Sequence, residues 1–500
     1  MPPGLILAID QGTTNTKALL IDRSGNPVFC ASAPASLIQN PHGFLEQDPL
    51  LLWNSGLTVV EECVAYARGA SSIEAIAISN QRETAVAWNA TTGIPVANAV
   101  SWQCGRGTEI CRRLASQSFD FRDQFRVRTG LPLAPLVSAC KWAWLLENET
   151  CVTELARENN LRLGTVDSWL IHQFTRGAVH TTDFSNASRT GLLNLTTLTW
   201  DSELLETFGI PRQAMPTVQS SAGMFGKCTA IPALNGVPLL AVIGDSHAAM
   251  FGHGCYGPGT VKATYGTGSS LMALTSTLVA DTPELARTIA WATNGTVQFA
   301  IEGNIPMAGA AIQWVGEFLQ LPNPAADAVR LAASIDTSEG VYFVPAMVGL
   351  GAPYWDAHAR GAISGLSRSH RSAHLARAAV DAIAYQVADV FFAIEQAIGT
   401  PICELHADGG ATRNQSLMQF QADILGRTVL RSSNEELSAL GAARLAGLQL
   451  GWWSSLEELA ALPRTKDVFS PAMKEADRRC LYDGWKDAVR RVCTSREARA

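Results

Sequence analysis

One phrase occurs twice in this chain of 500 residues, and it limits what the chain can fold into. Leu5–Asp10 (LILAID) is a short apolar run of the kind that forms a buried strand, and it ends in Gln-Gly-Thr-Thr-Asn-Thr. A second run, Lys17–Asp22, follows, then a turn (Arg23-Ser-Gly-Asn-Pro27) and a third strand from Val28. Much later, Gly257-Pro-Gly259 leads into Thr260–Tyr265, which ends in Gly266-Thr-Gly-Ser-Ser270 before a strand over Leu271–Leu274. Two strand–Gly/Thr turn–strand units in separate halves predict two related α/β domains. Each would offer a loop lined by hydroxyls and backbone amides.

Helices fill much of the remainder. Asp48-Pro49 sets a cap and then a proline in the first turn, predicting a helix to about Arg68. Ala373–Gln396 is long and Ala-rich, with Ser372 as a candidate cap. Asn414–Leu425 and Glu435–Leu450 read as helices stopped by Gly426 and Gly451. The glycines bracketing Gly244–Gly254 mark the expected boundary, dividing the chain into residues 1–247 and 248–500.

Charge and composition remove several classes of function. The 38 basic and 45 acidic side chains give −7, with no dense Lys/Arg stripe, so nucleic acid is not an expected partner. Arg478, Arg479, Arg490 and Arg491 read as ordinary helix surface. With 47% hydrophobic residues the chain is globular rather than disordered. The N-terminus lacks a signal-peptide pattern, and no stretch approaches the ~20 apolar residues of a membrane span. The 11 cysteines are odd in number and form no Cys-x-x-Cys pair. Reduced, mostly buried thiols in a cytoplasmic protein are expected.

Asp10-Gln-Gly-Thr-Thr-Asn-Thr-Lys17 has the chemistry of a phosphate cradle. Gly12 lets backbone N–H groups approach an anion, Thr13 and Thr14 can donate to it, and Lys17 adds charge. Asp10, at a strand end, can hold Mg²⁺ through water. The spacing is not that of a P-loop, and an ordinary Gly-Thr hairpin would look the same. The partner loop at Gly266-Thr-Gly268 favours the cradle, since two such loops could grip a nucleoside triphosphate. Gly409-Gly410 joins a strand-like Glu404–Ala407 to a helix, which suits a ligand lying against backbone or simply a tight helix entry. Asp245 follows the apolar run Pro238–Ile243 and can be a general base in a cleft or a helix cap. His247 and His253 lack metal-ligand company. Asn80-Gln-Arg-Glu-Thr84 follows the run Ile73–Ile78. On irregular backbone, Arg82 and Glu83 can face one polyhydroxyl substrate, or the segment is a solvated loop.

Taken together these segments resemble the FGGY carbohydrate kinase family, most closely its glycerol kinase branch. The resemblance rests on AIDQGTTNTK, NQRETAVAWNATTG, AVSWQ, GTVDSWLIHQFT, TDFSNASRTGLLNL, TYGTGSS, EGNIPMAGAAIQW, GLGAPYWDAHARGAISGL and DGGATRNQSLMQFQADILG, in family order over roughly residues 5–452. It implies a two-domain, actin-like (ribonuclease H-like) α/β fold with a cleft between domains. It also implies phosphorylation of a primary hydroxyl with ATP and Mg²⁺. By the resemblance Asp10 is the metal-associated aspartate, and Gly12, Thr13, Thr14 and Lys17 form the first phosphate loop. Gly266 and Thr267 form the second. Gly309, Gln313, Gly410 and Asn414 lie around the nucleotide. Asp245 is the catalytic base, and Arg82, Glu83 and Trp102 bind the acceptor.

This sequence departs from the glycerol kinase pattern at four places. Lys17 stands where arginine is frequent. Leu136 replaces a tyrosine, Ser246 a glutamine and Ser270 an aromatic, all in the implied acceptor pocket and all smaller. The expected enzyme is therefore a kinase for a polyol or ketose larger than glycerol, with a glycerol kinase as the alternative. A homodimer or homotetramer is compatible with it. Chaperones and filaments share the actin-like core. No segment remains for a peptide-binding domain, and NQRET has no clear use in them. A catalytically silent sugar sensor would not need both Asp10 and Asp245.

Overall fold

The computed structural model describes residues 4–67, 70–118 and 120–494. Leu5–Gln11 (β1), Asn15–Ile21 (β2) and Pro27–Pro34 (β3) form an antiparallel meander, and Ile73–Asn80 (β4) and Leu239–Gly244 (β5) extend it in parallel. The sheet order is β5-β4-β1-β2-β3. Central strand β1 is buried along almost its whole length, which is why LILAID is continuously apolar.

The second half repeats this plan. Thr260–Tyr265 (β6), Ser269–Thr275 (β7), Ala286–Thr293 (β8) and Thr296–Ile305 (β9) are antiparallel. Glu404–Asp408 (β10) and Thr428–Ser432 (β11) add in parallel, and Lys466–Phe469 (β12) closes the edge. The order is β8-β9-β7-β6-β10-β11-β12. The β1–β2 and β6–β7 hairpins are the two repeated phrases of the sequence.

Helix α1 (Pro49–Tyr66) starts as expected, with the Asp48 carboxylate accepting from Leu50 N at 2.8 Å. It ends at Tyr66, short of Arg68, which lies outside the described residues. Ser372 is not a cap: in α5 (Ser372–Ile398) it is the first helical residue, and Arg371 holds the cap position. Asn414 caps α6 (Gln415–Leu425) by accepting from Leu417 N at 3.1 Å. The segment Gly244–Gly254 is not a loose linker. It forms α3 (Asp245–His253), so a cut after residue 247 falls inside a helix.

Helix α7 (Leu437–Leu450) packs across α3 and onto β1, β4 and β5, although it belongs to the second half of the sequence. The helices cross at two glycines. A Cβ on Gly441 would sit 1.8 Å from the Ala248 carbonyl oxygen, and one on Gly252 would sit 2.4 Å from that of Leu437. One apolar core results, running from Ile6 and Ile243 of the first sheet through Phe251 and Leu440 to Met272 and Trp291 of the second. Helix α3 is thus clamped between the halves.

The C-terminal arginines behave as expected. On Glu475–Val492 (α8), Arg479 pairs with Glu475 at 2.8 Å and Arg490 with Asp487 at 2.7 Å, on its solvated face. The cysteines are free thiols, and most are buried. Among the described residues no helix is long and apolar enough to cross a membrane.

Candidate active site

Asp245 opens α3 just beyond β5, and Gly244 holds the cap position. Its side chain is 39% exposed, and its Oδ1 lies 3.2 Å from Arg82 Nε. The same oxygen accepts from Ser246 N at 2.6 Å. The protein packed around the carboxyl desolvates it and pushes it up from the usual range, against the nearby Arg82 guanidinium.

Arg82 and Glu83 follow β4 in a buried turn rather than a solvated loop. Glu83 takes a left-handed φ of 63°, unusual for a residue with a side chain and characteristic of functional turns. This turn sends the neighbours to different partners. Arg82 donates to both carboxylate oxygens of Glu302, at 3.2 and 2.9 Å. Glu83 accepts from Arg189 Nε at 2.7 Å. Arg189 Nη1 also lies 3.0 Å from Glu302. Burial alone would raise the Glu302 carboxyl, but the two arginines hold it well below the usual range.

Ser270, on β7, donates to Glu302 Oε1 at 2.8 Å. Ser246 and Ser270 face each other with 3.4 Å between their hydroxyl oxygens, and buried Lys262 donates to Ser246 Oγ at 3.0 Å. A ring of contacts therefore closes through Asp245, Arg82, Glu302, Ser270 and Ser246. It draws on both halves of the chain. The sequence reading already placed Ser270 in the acceptor pocket, and Glu302 and Lys262 join it from the second sheet.

Glu302, Arg189 and Lys262 were missed as site residues. A signal existed for two of them, since Glu302 and Lys262 are charges inside otherwise apolar strands, where an unpaired charge would be costly. Leu136 sits half-buried just before Ser138–Asn148 (α2). Its carbonyl accepts from Lys141 Nζ, and Ser138 donates to the Glu83 carbonyl at 3.1 Å. This ties the Leu136 turn to the Arg82–Glu83 turn.

Trp102 bridges to the first Gly/Thr loop by donating from Nε1 to Thr13 Oγ1 at 2.9 Å. The Thr13 hydroxyl in turn donates to Gln81 Oε1 at 3.3 Å. Its proton is thus committed to the loop's own scaffold, while Thr14 is exposed. Gly12 lies where a Cβ would come within 2.8 Å of the Asn15 carbonyl oxygen, so this hairpin demands close backbone approach. In the second loop, Gly309 N donates to the Gly266 carbonyl and Ala308 N to that of Thr267, both at 3.0 Å. This sets the start of α4 (Gly309–Phe318) against it. Gln313 lies farther along α4 and donates to Glu317 at 2.6 Å.

Asp10 accepts from Ser79 Oγ at 2.8 Å. Burial and then the Asp245 charge push its carboxyl up to about 7. Lys17 is matched by Glu436, at 2.6 Å, just before α7. A cavity of about 450 Å³ opens beside Lys17 and runs along Asp408, Gly409, Gly410, Arg413 and Asn434. Asn414 stands next to it as the cap of α6. Among the described residues, no group of three or more His, Cys, Asp or Glu could hold a metal. Acidic Asp10 facing Asp245 suits a cation held mainly by phosphate oxygens and water. His247 and His253 are packing residues: His247 Nε2 is 3.3 Å from Thr288 Oγ1, and His253 Nε2 is 2.7 Å from Asp408.

Comparison with known proteins gives the family. The chain is 44% identical to a glycerol kinase of Paraburkholderia phytofirmans and 45% to one of Burkholderia multivorans, covering 97% of each chain. The structure matches Plasmodium falciparum glycerol kinase with ADP at a TM-score of 0.91 and 30% identity, over 99% of both chains. A xylulose kinase of Lactobacillus acidophilus, at 23% identity and a TM-score of 0.86, shares the fold. That fold is the two-domain, actin-like α/β architecture. Residues 5–252 match the N-terminal domain of the FGGY family of carbohydrate kinases and residues 261–450 its C-terminal domain. With both domains matched in order, and one ring of side chains closing between them, the chain belongs to the FGGY family of carbohydrate kinases.

Proposed function

We propose that this kinase transfers the γ-phosphoryl group of ATP to a primary hydroxyl of a small polyol or ketose larger than glycerol, in the cytoplasm. The observation that carries the proposal is the Ser246–Ser270 pair. Two small hydroxyls, 3.4 Å apart, stand in the ring that contains Asp245, where the glycerol kinase pattern carries a glutamine and an aromatic. Glycerol there would leave polar groups unpaired or bridged by water, which costs affinity.

In this reading Asp245 removes the proton from the attacking hydroxyl. Its upward shift makes it a stronger proton acceptor than an ordinary carboxylate. Arg82, fixed by Glu302, orients the base and the acceptor, with Glu83, Trp102 and Leu136 on the pocket walls. Gly12, Thr13, Thr14, Gly266 and Thr267 surround the phosphates. Gly309, Gln313, Gly410 and Asn414 border the nucleotide, and Lys17 would exchange Glu436 for a phosphate. Asp10 would hold Mg²⁺ through water, and the ion would neutralise charge on the transferring group. Catalysis is then chiefly positioning and exclusion of water.

A screen of C3–C7 polyols and ketoses for coupled ADP release tests this. An acceptor of roughly four to six carbons should show the highest kcat/KM. A glycerol preference of tenfold or more, about 1.4 kcal/mol in transition-state binding, would overturn the larger-acceptor reading. A second reading, glycerol kinase, is favoured by the 44–45% identity to the Paraburkholderia and Burkholderia enzymes of that name.

A further inference from the structure

Proton accounting along the serine pair points to the kind of oxygen it recognises. Lys262, as an ammonium, has only donors, and it donates to Ser246 Oγ at 3.0 Å. The single Ser246 proton is left to point toward Ser270, 3.4 Å away and at the outer edge of hydrogen bonding. Ser270 donates its own proton to Glu302 at 2.8 Å. Glu302 accepts only, because Arg82 and Arg189 keep it ionised. The direction Lys262→Ser246→Ser270→Glu302 is therefore fixed at both ends. Ser246 offers a donor, and Ser270 offers lone pairs.

We propose that Ser246 and Ser270 jointly read the secondary hydroxyl that an alditol carries where the 2-ketose of the same length has its keto oxygen, so that the enzyme selects alditols over ketoses. A hydroxyl entering the long serine contact would accept from Ser246 and donate to Ser270, satisfying both. A keto oxygen could accept from Ser246 but would set its lone pairs against those of Ser270. Lys262 and Glu302 act as positioning residues, because they fix which way each serine hydroxyl points. This inference rests on the larger-acceptor reading and narrows its substrate class.

The test compares kcat/KM for alditol and ketose pairs on the full chain: erythritol and threitol with erythrulose, ribitol and arabinitol with ribulose, xylitol with xylulose. Glycerol is run alongside. The best alditol should exceed its ketose by about tenfold, equivalent to about 1.4 kcal/mol. Ser246→Ala and Ser270→Ala should each bring that ratio toward one. A wild-type enzyme that prefers larger acceptors but favours the ketose overturns the serine assignment alone. So does a ratio that both variants leave unchanged. A tenfold preference for glycerol overturns the larger-acceptor reading and this inference with it. The wild-type comparison decides by itself if a variant fails to fold.

Discussion

Arg82 grips both oxygens of Glu302, at 3.2 and 2.9 Å, while its Nε lies 3.2 Å from Asp245. One guanidinium thus divides its charge between a fully buried carboxylate and the candidate base. Arg82 favours the ionised form of Asp245, while desolvation and the Glu83 charge oppose it.

Glu302→Gln should therefore shift the acid limb of the pH–rate profile. With the Glu302 charge gone, Arg82 acts more fully on Asp245 and favours its ionised form. Arg82 and Lys262 favour that form, and desolvation and the Glu83 and Asp10 charges oppose it. The acid limb of kcat/KM should move to lower pH, and kcat should fall. Leaving Arg82 and Arg189 short of a buried partner should also cost about 3–5 kcal/mol of stability. Profiles of kcat/KM from pH 5 to 9, with denaturant melts, check both.

Asp245→Asn keeps the shape of the ring and removes the proton acceptor. Turnover should drop by about 10²–10⁴-fold with little change in ATP affinity. Near-normal turnover on the best acceptor would remove Asp245 from the role of base.

Asp10→Ala should abolish productive binding of Mg²⁺ with ATP and leave acceptor binding through Arg82 and Glu83 in place. Calorimetry with each ligand separately reads this. Loss of acceptor binding with intact Mg²⁺-dependent turnover would contradict the assignment.

Trp102→Phe keeps an aromatic wall but deletes the donor to Thr13. Losing one such hydrogen bond is worth about 0.5–1.5 kcal/mol, or roughly two- to tenfold in kcat/KM. Because Thr13 belongs to the first Gly/Thr loop, KM for both ATP and acceptor should rise. An effect on the acceptor alone would mean that the link does not couple the two sites.

Asp167 supplies a pH test of stability away from the reacting groups. Burial and then the Asp183 charge push its carboxyl up to about 7. A carboxyl raised on folding binds more protons in the folded than in the unfolded state. Its penalty is absent below about pH 4, grows between about pH 4 and 7, and is constant above that. Asp167→Asn should therefore raise Tm at pH 8 relative to wild type and have little benefit at pH 4. Thermal melts at the two pH values decide it.

The sequence by itself determined the local elements and named the candidate site residues. Apolar runs such as LILAID could only be buried strands. Asp48 and Asn414 cap their helices because a short acceptor reaches the first free N–H groups of the helix. The Gly/Thr turns required glycine where backbone approaches backbone. Tertiary structure decided the partners. Glu302 meets Arg82 across 220 residues, and Glu436 meets Lys17 across 419. No local periodicity encodes a pairing that arises only when two sheets share a core. The segment Gly244–Gly254, expected as the boundary, forms a helix that Gly252 and Gly441 let pack closely against α7. The pocket therefore belongs to both halves, since its charges are neutralised only where the two sheets meet.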